Sequence, residues 1–171
     1  MVGTLVRDRS RKKRTGEIKV KRTLHALHGM LIKQRILHAD ETTLQVLHEP
    51  GKAAQTDSYM WLYRTSGDAK MPIVLYDYQP DRKAKRPAEF LKGFRGYLHT
   101  DGYSGYHALP DEILIVGCWA HARRKFDEAL KGLPPKDQAG SLALKGKQNC
   151  DKLFEIERTL EGCTPEERHR K

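Results

Sequence analysis

The alternation of apolar and polar residues divides the chain into segments of different character. Residues 1–22 are polar and carry no hydrophobic period, which predicts a mobile, disordered arm. Leu24, Leu27, Met30 and Leu31 then recur at helical spacing and predict a short helix over 23–34. Residues 36–47 are apolar and β-branched, 59–64 are aromatic, and 72–78 are apolar again. With turn residues at Glu49-Pro50-Gly51-Lys52 and Thr65-Ser66-Gly67-Asp68, these three predict strands of an antiparallel meander. The charged loop 80–86 leads to a short helix at 87–92 with proline at its start. A fourth strand is expected at 96–100, a helical turn at 103–109 and a fifth strand at 113–118. That last run is apolar throughout, which predicts burial on both faces. Trp119–Lys131 reads as a helix with Trp119, Ala122, Phe126, Ala129 and Leu130 on one side and His121, Arg124, Lys125 and Glu128 on the other. A final helical stretch carries Leu153, Ile156 and Leu160.

Three antiparallel strands followed by strand–helix–strand–helix predict an α/β fold, a mixed five-stranded sheet flanked by helices. Asp40 and Asp101 each close a strand-like run. If the first and fourth strands are neighbours, the order is ribonuclease-H-like and the two carboxylates converge. Oxygen ligands so placed suit hard divalent cations such as Mg²⁺ or Mn²⁺, and a pair of such ions suits phosphodiester cleavage. A second reading stays open on these residues alone, because aspartates at strand ends also satisfy local backbone and Asp101-Gly102 is a turn pair. Glu41 follows Asp40 directly, points to the opposite face of the strand and is not expected to share its metal.

Charge sharpens the picture. Of the formal net charge of +10, residues 1–22 hold +7, with nine basic residues against Asp8 and Glu17. Such an arm fits a polyanionic partner, most simply nucleic acid, with Arg11, Lys12, Lys13 and Arg14 at its centre. The basic face of the 119–131 helix, with His121, Arg124 and Lys125, is the candidate phosphate contact in the folded part. Cys118, Cys150 and Cys163 have no paired spacing, so reduced thiols and a cytoplasmic location are expected. Cys118 and His121 have metal-ligand spacing but no second pair for a structural zinc. No apolar run approaches the ~20 residues of a membrane span, and no apolar region follows the N-terminal charges as in a secretory signal.

Four motifs carry a resemblance: His38-Ala39-Asp40-Glu41-Thr42-Thr43, Ser58-Tyr59-Met60-Trp61, Leu98-His99-Thr100-Asp101-Gly102-Tyr103, and Cys118 to Phe126 (CWAHARRKF). From about Leu24 to the C-terminus the chain resembles the catalytic region of the IS66 insertion-sequence transposase family. The resemblance implies Mg²⁺- or Mn²⁺-dependent cleavage and strand transfer of DNA, with Asp40 and Asp101 as the first and second metal-binding, catalytic carboxylates. It implies DNA as partner (the element's ends and its target) together with transposase subunits. Residues 23–131 would be the partial catalytic core, and 132–171 the start of the family's helical insertion. The family's third acid, a glutamate, lies downstream of the matched region. The chain is therefore expected to be C-terminally incomplete, to bind metal more weakly and to be inactive alone. The alternative is a non-catalytic DNA-binding or transposase-interacting fragment.

Overall fold

The computed structural model describes residues 9–170, with side chains from Glu17 onward except Pro165. They divide into two compact units, one ending at Val116 and the other starting at Gly117. The first unit holds α1 (Arg9–Leu31), β1 (Ile36–Gln45), β2 (Asp57–Thr65), β3 (Val74–Gln79), α2 (Lys85–Phe90), β4 (Gly96–Thr100), a 3-10 turn (Ser104–Ala108) and β5, which starts at Ile113 and ends at Gly117. The sheet order is β3-β2-β1-β4-β5. β1 and β2 are antiparallel, as are β2 and β3, whereas β1 and β4 run parallel. The expected mixed five-stranded α/β sheet is thus present, with β1 and β4 as neighbours.

Period-two alternation decides which face each residue serves. Leu37, Ala39 and Glu41 of β1 stand opposite Thr65, Tyr63 and Trp61 of β2, and Leu37 is level with Leu98 of β4. This face is covered. Leu31 from α1, Leu91 and Phe94 from the segment after α2, and Tyr106 from the 3-10 turn are buried against it. Phe90 stacks on Tyr63 with ring centroids 3.7 Å apart, and its carbonyl meets His28 Nε2 at 2.7 Å. Each aromatic ring buried here removes a large apolar area from water. The other face carries His38, Asp40 and Thr42 beside Arg64, Leu62 and Met60. It is more open: Tyr76 and Val74 on β3 are 69% and 49% exposed.

Three expectations are corrected. Helix α1 begins at Arg9, so the part of the basic arm from Arg9 to Arg22 is helical, while residues 1–8 lie outside the described residues. Lys and Arg are good helix formers and no proline occurs before Pro50, so this stretch needs no apolar stripe. Residues 17–26 are exposed all round, and the helix turns core-facing only from Leu27. Strand β5 is an edge, and Leu114 on it is 50% exposed, so its apolar run does not mean burial on both faces. Helix α2 starts two residues earlier than expected, with Pro87 inside its first turn, where the missing N–H costs no helix bond.

The second unit holds α3 (Trp119–Lys131), α4 (Pro135–Gln138), α5 (Leu142–Thr159) and α6 (Pro165–Arg170). Ser141 caps α5 by accepting from Leu144 N at 3.1 Å. Helices α3 and α5 pack as an antiparallel hairpin. Arg123 donates to Asp151 and Lys147 to Asp127, both at 2.5 Å, and the Phe126 ring lies where a side chain on Gly146 would stand. Trp119, Leu153 and Ile156 remain exposed, so the apolar stripes read from the sequence are not core stripes here. The pairing instead runs through charge. Hydrogen bonds from Lys131 and Lys147 hold Asp127 down to about 2, and the bond from Arg123 lowers Asp151. A carboxylate depressed in the folded state stabilises it above its ordinary pKa and loses that contribution as pH falls through the folded value. The melting temperature of α3 and α5 in the full chain, followed by their amide resonances, is therefore expected to fall between about pH 4 and pH 2. Asp127→Asn should flatten that slope, and an unchanged slope in the variant would remove Asp127 from the hairpin's stability.

Candidate functional site

Gly96 sets where β4 begins. Its φ is +148°, and a Cβ there would stand 2.3 Å from the Arg35 carbonyl oxygen. That carbonyl accepts from Tyr97 N at 3.0 Å, while Gly96 N donates to Glu112 O at 3.1 Å. The backbones are thus drawn together at the entry, and the parallel register follows: Ile36 with Tyr97, Leu37 with Leu98, His38 with His99. Continued two residues along, the same register would set Asp40 level with Asp101, which lies just past the end of β4. Asp40 itself stands in the middle of β1, not at the strand end expected from the sequence, because the strand runs on through Gln45 paired with β2. The two histidines already meet on that face, with ring centroids 4.7 Å apart. Burial, then the Arg64 charge, pushes His38 down to about 4, so it is neutral near pH 7.

Both candidate ligands are half-buried, and each spends one oxygen on local backbone. Asp40 Oδ1 accepts from Glu41 N at 2.9 Å. Asp101 Oδ1 accepts from Tyr103 N at 2.9 Å, and Gly102 takes the positive φ that this turn requires. Asp40 also borders a shallow depression of about 210 Å³ formed with Glu41, Thr42, Met60, Leu62 and Tyr76. Two carboxylates, one within β1 and one just after its parallel neighbour β4, fit hard cations by donor type. Among the described residues no group of three or more His, Cys, Asp or Glu side chains is close enough to share a metal.

Glu41 faces the other way, as its parity requires, and its side chain is 1% exposed. Arg82 Nε donates to its Oε1 at 2.7 Å, with Nη2 of the same guanidinium also paired to it, and Tyr106 Oη donates to Oε2 at 2.7 Å. Burial raises the Glu41 pKa against these bonds, which pull it down. The Arg82 guanidinium also lies 3.7 Å from Asp101 Oδ2 and 3.9 Å from the centroid of the Tyr103 ring. Tyr103 Oη donates to the Arg82 carbonyl. Sequence reasoning missed Arg82, Tyr103 and Tyr106. The signal was present in Glu41, a charge in phase with Leu37 and Ala39 on an apolar face, which demands a buried partner.

The remaining candidates are dispersed. Arg11, Lys12, Lys13 and Arg14 lie on the first turns of α1, and their side chains are outside the described residues. Arg124 and Lys125 are exposed on α3, Lys125 lying 3.7 Å from Glu128. His121 turns Nδ1 inward, with no hydrogen-bond partner among the described residues. Cys118, Cys150 and Cys163 are in no disulfide. No described helix is long and apolar enough to cross a membrane.

Gly96→Ala is expected to cost about 1–3 kcal/mol, the usual range for a strained backbone position, as read from urea unfolding. A loss within about 0.5 kcal/mol, the range of neutral surface changes, would show that the entry to β4 relaxes freely.

The uncharacterized protein y4qI of Sinorhizobium fredii (strain NBRC 101917 / NGR234) is 41% identical over 101 residues, covering 52% of this chain and 19% of its own. Two further proteins of that strain, y4hP and y4jD, are also uncharacterized. They are 32% and 29% identical over 151 and 157 residues, covering 77% and 83% of this chain and 26% and 29% of their own. The chain thus spans less than a third of the length of these relatives. No solved structure matches. Residues 10–171 match the family described as Transposase IS66 family, and the chain belongs to it.

Proposed function

We propose that this chain carries the first two metal-binding carboxylates of a ribonuclease-H-like transposase core, Asp40 on β1 and Asp101 after β4. The observation that supports the reading is the parallel β1–β4 register, which pairs His38 with His99 and, continued two residues, would bring Asp40 of β1 level with Asp101 just after β4. Mg²⁺ or Mn²⁺ held there would supply activation of the attacking hydroxyl and neutralisation of the leaving oxygen in phosphodiester cleavage and strand transfer. The chain's own part is positional. Gly96 fixes the entry of β4, the Asp101-Gly102 turn holds one carboxylate oxygen of Asp101 on backbone, and Asp40 keeps its carboxyl toward the more open face of the sheet.

Two carboxylates leave a cation site short of protein charge, so this chain by itself is expected to bind Mn²⁺ weakly and not to cut DNA. Calorimetric titration should show Mn²⁺ binding that disappears in Asp40→Ala/Asp101→Ala. Equal binding by the native chain and the double variant would refute the ligand assignment. Mg²⁺-dependent nicking abolished by Asp40→Ala would refute the expected inactivity.

A second reading, DNA binding without catalysis, is favoured by α1. Its exposed stretch carries Lys19, Lys21 and Arg22 beyond the packed turns, on the same helix as Arg11, Lys12, Lys13 and Arg14. Arg124 and Lys125 on α3 are the further phosphate-binding side chains of this reading. Replacing Lys19, Lys21 and Arg22 by glutamate should weaken binding to duplex DNA. It should also lower the slope of log affinity against log salt by about 0.9 for each phosphate that the helix no longer neutralises. An unchanged slope would exclude α1 as the DNA-binding element.

A further inference from the structure

We infer that Glu41 and Arg82 are positioning residues: they bind the loop that carries Asp101 to the strand that carries Asp40, and so set the separation of the two carboxylates. The inference rests on the ligand roles proposed above, but the clamp itself can be measured without them.

The bonds form a closed circuit. Glu41 belongs to β1 and is adjacent to Asp40, with its carboxylate buried on the covered face. Both of its oxygens are taken, Oε1 by Arg82 and Oε2 by Tyr106. Arg82 reaches from the loop before α2 and lies against Asp101 Oδ2 and the Tyr103 ring. Tyr103 returns two bonds, its N–H to Asp101 Oδ1 and its hydroxyl to the Arg82 carbonyl. Tyr103 and Tyr106 meet edge to face, and Tyr106 does the same with Trp61 of β2. Residues 101–106 are therefore attached to β1 through one guanidinium and one phenol, with no strand pairing beyond Thr100. A planar fork with fixed donors suits this task better than an ammonium, because it holds Glu41 through two nitrogens while facing Asp101 and stacking on a ring.

Charge alone predicts the opposite of position. Removing a cation 3.7 Å from Asp101 would favour a bound metal ion, whereas loosening the loop would disfavour it. The informative variant is Glu41→Gln/Arg82→Gln, which deletes both charges together, leaves the net charge unchanged and retains an acceptor for Tyr106. Amide exchange of the full chain is the first readout. Gly102, Tyr103 and Tyr106 should exchange about tenfold faster or more through local opening, while the β2 and β3 amides keep their native rates. Mn²⁺ affinity is the second readout, expected to fall about 10- to 100-fold, as when outer partners of metal ligands are removed. Arg82→Lys retains the charge without the fork and should move both quantities in the same direction by less.

Native exchange at residues 101–106 in the double variant would overturn the clamp. Faster exchange with unchanged Mn²⁺ affinity would overturn its role in setting the carboxylates. If the native chain binds no Mn²⁺, the ligand assignment fails and the exchange rates alone decide the clamp. If the double variant does not fold, Arg82→Lys decides by the same two readouts.

Discussion

A carboxylate on the covered face of a central strand cannot stay charged without a partner, and Glu41 imposes this condition on the first unit. Isolating such a charge from water costs several kcal/mol, so removing one partner of a buried pair is far worse than never having built it. Arg82 and Tyr106 meet the demand from two separate segments, the loop before α2 and the 3-10 turn after β4. Both segments are thereby brought to the same covered face of the sheet. The aromatic layer of Trp61, Tyr103 and Tyr106 lies on the same covered face, where the Glu41 side chain is buried while Arg82 keeps contact with solvent. The placement of residues 101–106 is thus a consequence of satisfying one buried acid.

The two units are stabilised by different means. The first has a true core, with Leu31, Leu37, Trp61, Tyr63, Leu98 and Tyr106 fully withdrawn from water. The second is a helical hairpin joined by Arg123–Asp151 and Asp127–Lys147, with Lys131 pairing Asp127 within α3 and little apolar surface withdrawn beyond Cys150 and Leu160. Burial is insensitive to ionic strength, whereas exposed ion pairs are screened over a Debye length of about 10 Å at 0.1 M salt. Salt and acid should accordingly act on one unit more than on the other.

Much of the fold was legible because strands and tertiary helices announce themselves by period. The meander, β4, β5 and α3 follow directly from alternation and turn residues. The N-terminal half of α1 was not legible, because a solvent-exposed helix has no buried face to leave a pattern. The environment of Leu114, Trp119, Leu153 and Ile156 was also illegible, since an apolar residue does not say what covers it. For the site, Asp40 and Asp101 were singled out by motif, and the neighbouring of β1 and β4 was legible, but the length of β1, which carries Asp40 in its middle, was not. Arg82 could not be read, since one arginine within the run Asp81-Arg82-Lys83-Ala84-Lys85-Arg86 looks like any other solvated charge until Glu41 is known to point inward.

Adjacent acids on one strand also carry an asymmetry that composition conceals. Asp40 and Glu41 differ by one methylene, yet the pleat sends one toward the open face and the other beneath the aromatic layer. Inverting their order would keep every charge and nearly every atom of the strand. It would nonetheless leave the guanidinium of Arg82 reaching for a carboxylate one carbon too short, and lengthen the acid on the more open face. Chain length, more than acidity, is what distinguishes the two positions, so a family that varied freely between aspartate and glutamate here would have to rebuild the loop at Arg82 as well.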